Sequence, residues 1–245
     1  MKYLLVLMML IPLFGFAQYT IETDRPCISN SPTIVPKYYL QLETGGLIER
    51  RSNYTDIYLP SLLLKYGVND RLELRLSNSV QNITEQGVGL GTTGLGFKTS
   101  LLPERCWFPS VSFMGQINLP NWASEEYRAK YIAPQFRFLC VHHLSQKTNL
   151  GYNLGMEWLG FDAEHRWLGT LYVQQQWNTS LGTQLEMFNY YSRSLEWSYG
   201  FDMGFTYQFL RNHQLDFYGG AAVNDSYFFA SVGYSYRFNV RQMRF

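Results

Sequence analysis

Four sets of residues in this chain of 245 could do chemistry. The first is Gly89 to Gly94, GLGTTG, a literal G-x-G-x-x-G of the kind that brings backbone amides against a dinucleotide pyrophosphate. That reading requires a strand before the loop, a helix after it and an acidic residue about twenty positions on, and the flanking sequence has none of these in place. The glycines are instead expected to bend a sheet or to make room beside one. The second set is the histidines, His142, His143, His165 and His213, which lack metal-ligand spacing; the doubled pair reads as polar groups at a strand end. A lipid hydrolase would need a Ser and a His on neighbouring strands with a third group orienting the His, and no short His-x-Ser arrangement occurs. No catalytic, cofactor-binding or metal-ligating residue is therefore assigned.

The third set is Cys27, Cys106 and Cys140. Three cysteines leave at least one unpaired. Cys140 falls in an apolar series and reads as a small hydrophobe, whereas Cys27 and Cys106 map to one end of the molecule, where an oxidising compartment leaves a disulfide between them open. Asn53, Asn82, Asn178 and Asn224 each begin an N-x-S/T triplet and read as turn residues, relevant to glycosylation only in a eukaryotic secretory pathway.

The fourth set is the largest: Glu43, Lys65, Glu73, Arg75, Lys98, Arg137, Glu157, Glu186, Asp202, Asp216 and Arg237, each set among small or polar residues that alternate with apolar ones. Chemistry here would be that of a charged wall, with six acids facing five bases. The elements that position it are strands. Trp197 to Phe209 reads WSYGFDMGFTYQF, with seven large apolar or aromatic residues at every second position, and period two places successive side chains on opposite faces of a sheet. Soluble strands run to about five or six residues, whereas a tilted strand that crosses a bilayer needs about nine to eleven. Length therefore favours a membrane-spanning strand over a soluble sandwich or a lipocalin-like barrel.

Composition agrees. Nineteen Tyr and seventeen Phe suit strands and interfacial aromatic belts. No apolar run of about 20 residues occurs beyond the N-terminus, which excludes a helical membrane protein, and a net charge of +1 argues against nucleic acid as a partner. Lys2 followed by YLLVLMMLIPLFGF and the small residues Gly15 and Ala17 reads as a secretory signal cleaved before Gln18.

The remainder parses into twelve strands, near 39–49, 56–67, 71–80, 89–101, 110–119, 130–142, 149–159, 167–177, 181–190, 197–209, 214–223 and 227–238. The expected organisation is a signal peptide over 1–17, an N-terminal periplasmic or lumenal segment over 18–38, an antiparallel up-and-down transmembrane barrel over 39–238 and a tail over 239–245. Tight polar turns at 66–74, 143–152, 177–185 and 209–217 are expected at the periplasmic end, with the longer links outside; PERCWFP at 103–109 is longer than that scheme prefers. The last strand carries SVGYSYRF, in which Ser231, Gly233, Tyr236 and Phe238 fit an outer-membrane assembly signal, and a closed barrel is the sheet that leaves no unpaired edge in lipid.

Several of these segments together resemble one family. TDRPCISNSPTIVPKYYLQLETG at 23–45, LKYGVNDRLELRL at 64–76, GLGFK at 94–98, LGYNLGMEW at 150–158 and LDFYGGAAVNDSYFFASVGYSYRF at 215–238 are similar to the Gram-negative outer-membrane proteins grouped under the meta-pathway of phenol degradation. Cys27 departs from the acidic residue expected after Thr23-Asp24-Arg25-Pro26, and NVRQMRF extends past the usual terminus. The resemblance implies a bacterial outer-membrane barrel concerned with the movement of small molecules, with aromatic or hydrophobic compounds as candidates. The expected function is a passive channel in the outer membrane, with membrane lipid, the barrel assembly machinery and a small solute as partners. The competing expectations are a barrel closed by its own paired charges, structural or adhesive in role, and, further off, a lipid hydrolase.

Overall fold

The computed structural model describes residues 21–25, 27–51, 54–83, 87–194, 196–224 and 226–242. The expected signal peptide and its cleavage site lie outside the described residues. The alternating segments form thirteen antiparallel strands: β1 (Tyr39–Arg51), β2 (Tyr54–Asn69), β3 (Leu72–Ile83), β4 (Gly87–Leu90), β5 (Thr93–Leu102), β6 (Ser110–Leu119), β7 (Ala133–His143), β8 (Thr148–Trp158), β9 (His165–Gln176), β10 (Leu181–Ser192), β11 (Glu196–Leu210), β12 (His213–Ala222) and β13 (Tyr227–Asn239). Each strand pairs with the next except at β4, where β3 pairs with both β4 and β5, and β1 pairs with β13 from Tyr39↔Asn239 to Arg51↔Tyr227, closing the wall. Closure leaves no row of unpaired backbone groups, which is what a bilayer interior demands.

Twelve strands make the ring, and the thirteenth corrects one expected boundary. The run expected as a single strand over 89–101 is broken at Gly91 and Thr92 into β4 and β5. A Cβ on Gly91 would collide with the side-chain amide of Gln81, so the chain kinks there while the Gly91 N–H still donates to the Ser79 carbonyl at 2.8 Å. Below the kink β5 joins β3 and β6; above it β4 pairs β3 over Val80–Ile83 and extends the rim. The link over 120–132 folds across this rim as two short 3-10 turns, and the buried Tyr127 hydroxyl accepts the Ile83 N–H at 3.0 Å and donates to the Gly87 carbonyl. At the other end, the 103–109 connection is tight despite its length. Arg105 and Phe108 exchange backbone hydrogen bonds of 3.0 and 2.9 Å around Cys106, whose φ of 51° makes the corner.

The two faces separate as the alternation requires. On β11 the seven large residues from Trp197 to Phe209 are 41–60% exposed on the outside, while Ser198, Gly200, Asp202, Gly204 and Gln208 between them are buried. The same inversion holds round the wall: Phe97, Phe136, Leu154, Leu185 and Phe217 face out, and Glu73, Lys98, Asn153 and Glu186 are at most 1% exposed inside. A protein with its apolar face outward and its charges inward is built for lipid rather than water. Across β5 to β8 the outer face carries neighbouring rings, Phe97, Phe113, Phe136 and Trp158, with centroids 6.0–6.4 Å apart from one to the next. Among the described residues no helix is long and apolar enough to cross a membrane.

Candidate functional site

The interior of the barrel is occupied by the chain's own N-terminal segment. The stretch TDRPCISNSPTIVP lacks the alternation that would make it a strand, and its backbone groups find partners on the wall instead. The Asp24 and Arg25 N–H groups donate to Glu43 Oε2 on β1 at 3.0 and 3.1 Å. The Ser29 N–H donates to the Glu186 carboxylate on β10, and the Asn30 N–H to Asn153 Oδ1 on β8 at 2.7 Å. Val35 N–H reaches Glu73 Oε2 on β3 at 2.9 Å, and the Ser112 hydroxyl on β6 donates to the Pro32 carbonyl. Three charged wall residues therefore serve as acceptors for a polypeptide that crosses the lumen.

The strongest contact is ionic. Asp24 Oδ2 receives Lys65 Nζ of β2 at 3.2 Å, Arg75 Nη1 of β3 at 2.6 Å and Lys98 Nζ of β5 at 2.9 Å. These cations point inward from neighbouring strands at nearly one height, because Lys65 pairs with Arg75 and Glu73 with Lys98 in the ladder. Glu43 and Glu73 complete the cluster, with Lys65 to Glu43 at 2.5 Å and Arg75 to Glu73 at 3.0 Å. Three cations then meet three carboxylates, and all six side chains are at most 6% exposed. Charges taken this far from water persist only when paired.

The segment leaves the lumen at the end where both described termini of the wall lie. Gly67 of β2 passes so close that a Cβ there would strike the Pro36 carbonyl oxygen, which restricts the position to glycine. The chain then turns into β1 at Tyr38, whose φ is 67° and whose ring lies 3.6 Å beneath the Arg241 guanidinium of the short C-terminal turn.

Two polar cavities lie against the segment. One, of about 350 Å³, opens toward the longer loops and is lined by Arg25, Arg75, Arg137, Asn78 and Gln116 with Leu63 and Met114. The other, of about 230 Å³, lies toward the short turns and is lined by Gln174, Gln176, Gln184, Gln208 and Gln214. Cys27 and Asn30 line both and so belong to the partition between them.

All eleven charged residues singled out by alternation sit on the inner side of the wall. Glu43, Lys65, Glu73, Arg75 and Lys98 converge on Asp24 as described. Arg137 and Glu157 form a second group, joined at 3.1 Å and completed by Arg166 on β9 at 2.5 Å from Glu157, and Arg137 also donates to the Ile28 carbonyl. Glu186, Asp202 and Asp216 stand apart on β10, β11 and β12, a side with no lysine or arginine on its inner face; neither carboxylate oxygen of Asp202 has a hydrogen-bond partner among the described residues. Arg237 lies near the Tyr39 ring at 5.9 Å. Of the proposed assembly residues on β13, Ser231 and Gly233 turn inward and Tyr236 and Phe238 outward.

The residues that sequence reasoning passed over are Asp24 and Arg25. Their one legible signal was a polar, proline-flanked stretch with an acid and a base in a chain otherwise made of strands. The disulfide left open between Cys27 and Cys106 is absent: all three cysteines are free, Cys27 lies in the lumen and Cys106 on the exposed 103–109 turn. His143 at the end of β7 pairs with Glu104 of that same turn; its N–H donates to Glu104 Oε1 at 2.8 Å, and the hydrogen bonds from His143 hold the Glu104 carboxyl below its ordinary range. Among the described residues no group of three or more His, Cys, Asp or Glu is arranged to hold a metal ion.

A closed, lipid-facing ring of twelve strands around a polar lumen defines a transmembrane β-barrel of the outer-membrane type. Residues 23–238 match the family described as "Putative MetA-pathway of phenol degradation", and the chain belongs to that family. Among solved structures, an outer-membrane channel from Pseudomonas putida F1 is similar over 89% of this chain and 100% of its own, with a TM-score of 0.66 at 12% identity. The NanC porin is similar over 80% of this chain and 98% of its own (TM-score 0.60, 10% identity). The KdgM porin, solved with disordered oligogalacturonate, is similar over 81% and 99% (TM-score 0.58, 10% identity). At these identities the likeness is one of fold. No curated protein matches the sequence.

Proposed function

We propose that the protein is an outer-membrane channel for small molecules, exported and assembled as a barrel, whose lumen is closed in this state by residues 21–38 and conducts when that segment is displaced. The observation that carries the reading is the manner of closure. A twelve-strand ring lies between barrels filled by their own side chains and those wide enough to hold an aqueous path, and here the space is taken by a separate polar segment held through hydrogen bonds and ion pairs. Such contacts exchange for water far more readily than an interlocked apolar core. The porin-like fold of the neighbours and the family's connection with small-molecule degradation support the same reading.

The test is ion conductance in planar bilayers for the intact chain and for a variant lacking residues 21–35. The intact protein is expected to stay near baseline with rare openings, and the deletion variant to conduct steadily. A deletion variant that keeps the heat-modifiable gel migration of a folded barrel yet conducts no more than the intact chain counts against the channel. It would favour the second reading, a closed structural barrel, for which the thorough pairing of the Asp24 cluster speaks.

A further inference from the structure

We propose that Lys65, Arg75 and Lys98 form a binding site for the carboxylate of a small organic acid, and that Asp24 occupies it as a tethered stand-in with which such a solute competes. The inference rests on the gated-channel reading and adds to it the class of solute.

The geometry is that of a carboxylate site already filled. Three cations from adjacent strands converge on one oxygen, Asp24 Oδ2, at 2.6–3.2 Å. Glu43 and Glu73 balance two of these charges, so the wall keeps one net positive charge when Asp24 leaves. A buried site with a single uncompensated positive charge calls for a monoanion rather than a phosphate dianion or a neutral molecule. Asp24 also fills it imperfectly. Its second oxygen, Oδ1, is turned away to accept the Ser31 N–H at 3.0 Å, while Arg75 Nε is buried without a partner among the described residues. A free carboxylate has no such tether, and its two oxygens suit the paired N–H donors of a guanidinium. Beside Arg75 the cavity of about 350 Å³ is bordered by the buried side chains of Leu63 and Met114, which offer the solute an apolar resting place behind its charge.

The test uses benzoate, with benzamide as its neutral isostere, on the full chain in detergent and on Asp24→Asn. By calorimetry Asp24→Asn should bind benzoate about tenfold or more tighter than the intact chain, because the tethered competitor is gone, and should not prefer benzamide. In the intact chain benzoate, and not benzamide, should speed hydrogen exchange of the Arg25 and Val35 amides, which are otherwise bonded to Glu43 and Glu73. This second measurement stands whether or not the variant folds. Equal affinity for benzoate and benzamide in Asp24→Asn, or exchange in the intact chain that benzoate leaves unchanged, overturns the site. Conductance separates the two ideas: a variant that conducts without preferring benzoate retains the gate and loses the carboxylate site, whereas one that binds benzoate and stays closed retains the site and loses the gate.

Discussion

Replacing Phe205 by Arg tests the assignment of the two faces. Phe205 is 52% exposed on the outer surface of β11, five residues from its Leu210 end, and its ladder neighbours are Thr183 and Phe217. An arginine there places a guanidinium among acyl chains, at a cost of about 2–4 kcal/mol near the midplane of a bilayer. At about 1.4 kcal/mol per factor of ten, the folding equilibrium should fall roughly 30- to 700-fold. The adjacent Thr206 is half-buried and faces the polar cavity near the short turns, beside Gln184 and Gln208. Thr206→Arg leaves its charge among amides and water, and should cost about 1 kcal/mol or less. The assay is reversible urea unfolding of each variant in lipid vesicles, followed by tryptophan fluorescence. Equal costs at the two positions, or a greater cost at Thr206, would refute the argument that lipid lies on the aromatic side.

Other consequences are simpler to state. A Cβ on Gly204 would enter the ring of Tyr218, which is 6% exposed, so Gly204→Val should destabilise the barrel by about 1–3 kcal/mol in the same titration through overpacking. Because hydrogen bonds from His143 lower the Glu104 carboxyl, the contact should help to hold the 103–109 turn above the ordinary glutamate range and release it as pH falls through the lowered value; carbon-detected NMR of Glu104 should show a midpoint below that of a free glutamate, and a midpoint at or above it would be evidence against the contact. N-terminal sequencing of the protein from envelope material should begin at Gln18, and an intact Met1 would remove the signal-peptide reading.

Much of the fold was legible because a barrel wall is a local pattern repeated. Alternation in WSYGFDMGFTYQF fixed the strand and its two faces from neighbouring residues alone, strand length and the final-strand signal turned the aromatic side toward lipid, and the same period set Glu43, Lys65, Glu73, Arg75 and Lys98 on one side of the wall. The break at Gly91 was not legible, since it depends on where the Gln81 side chain of the paired strand stands. Nor was the compactness of the 103–109 turn, which follows from one residue, Cys106, in the left-handed region.

By itself, then, the sequence determined which residues share a face of the wall and how many strands close the ring, since the first depends on period two along each strand and the second on the polar turns that separate them. Which inward charges meet, and what fills the space between them, was decided by the tertiary structure. Strand register brings Lys65, Arg75 and Lys98 to nearly one height, and their charges hold Asp24 of a segment with no periodicity of its own. A contact between residues 24 and 98 is a property of barrel closure, and no spacing within either stretch records it.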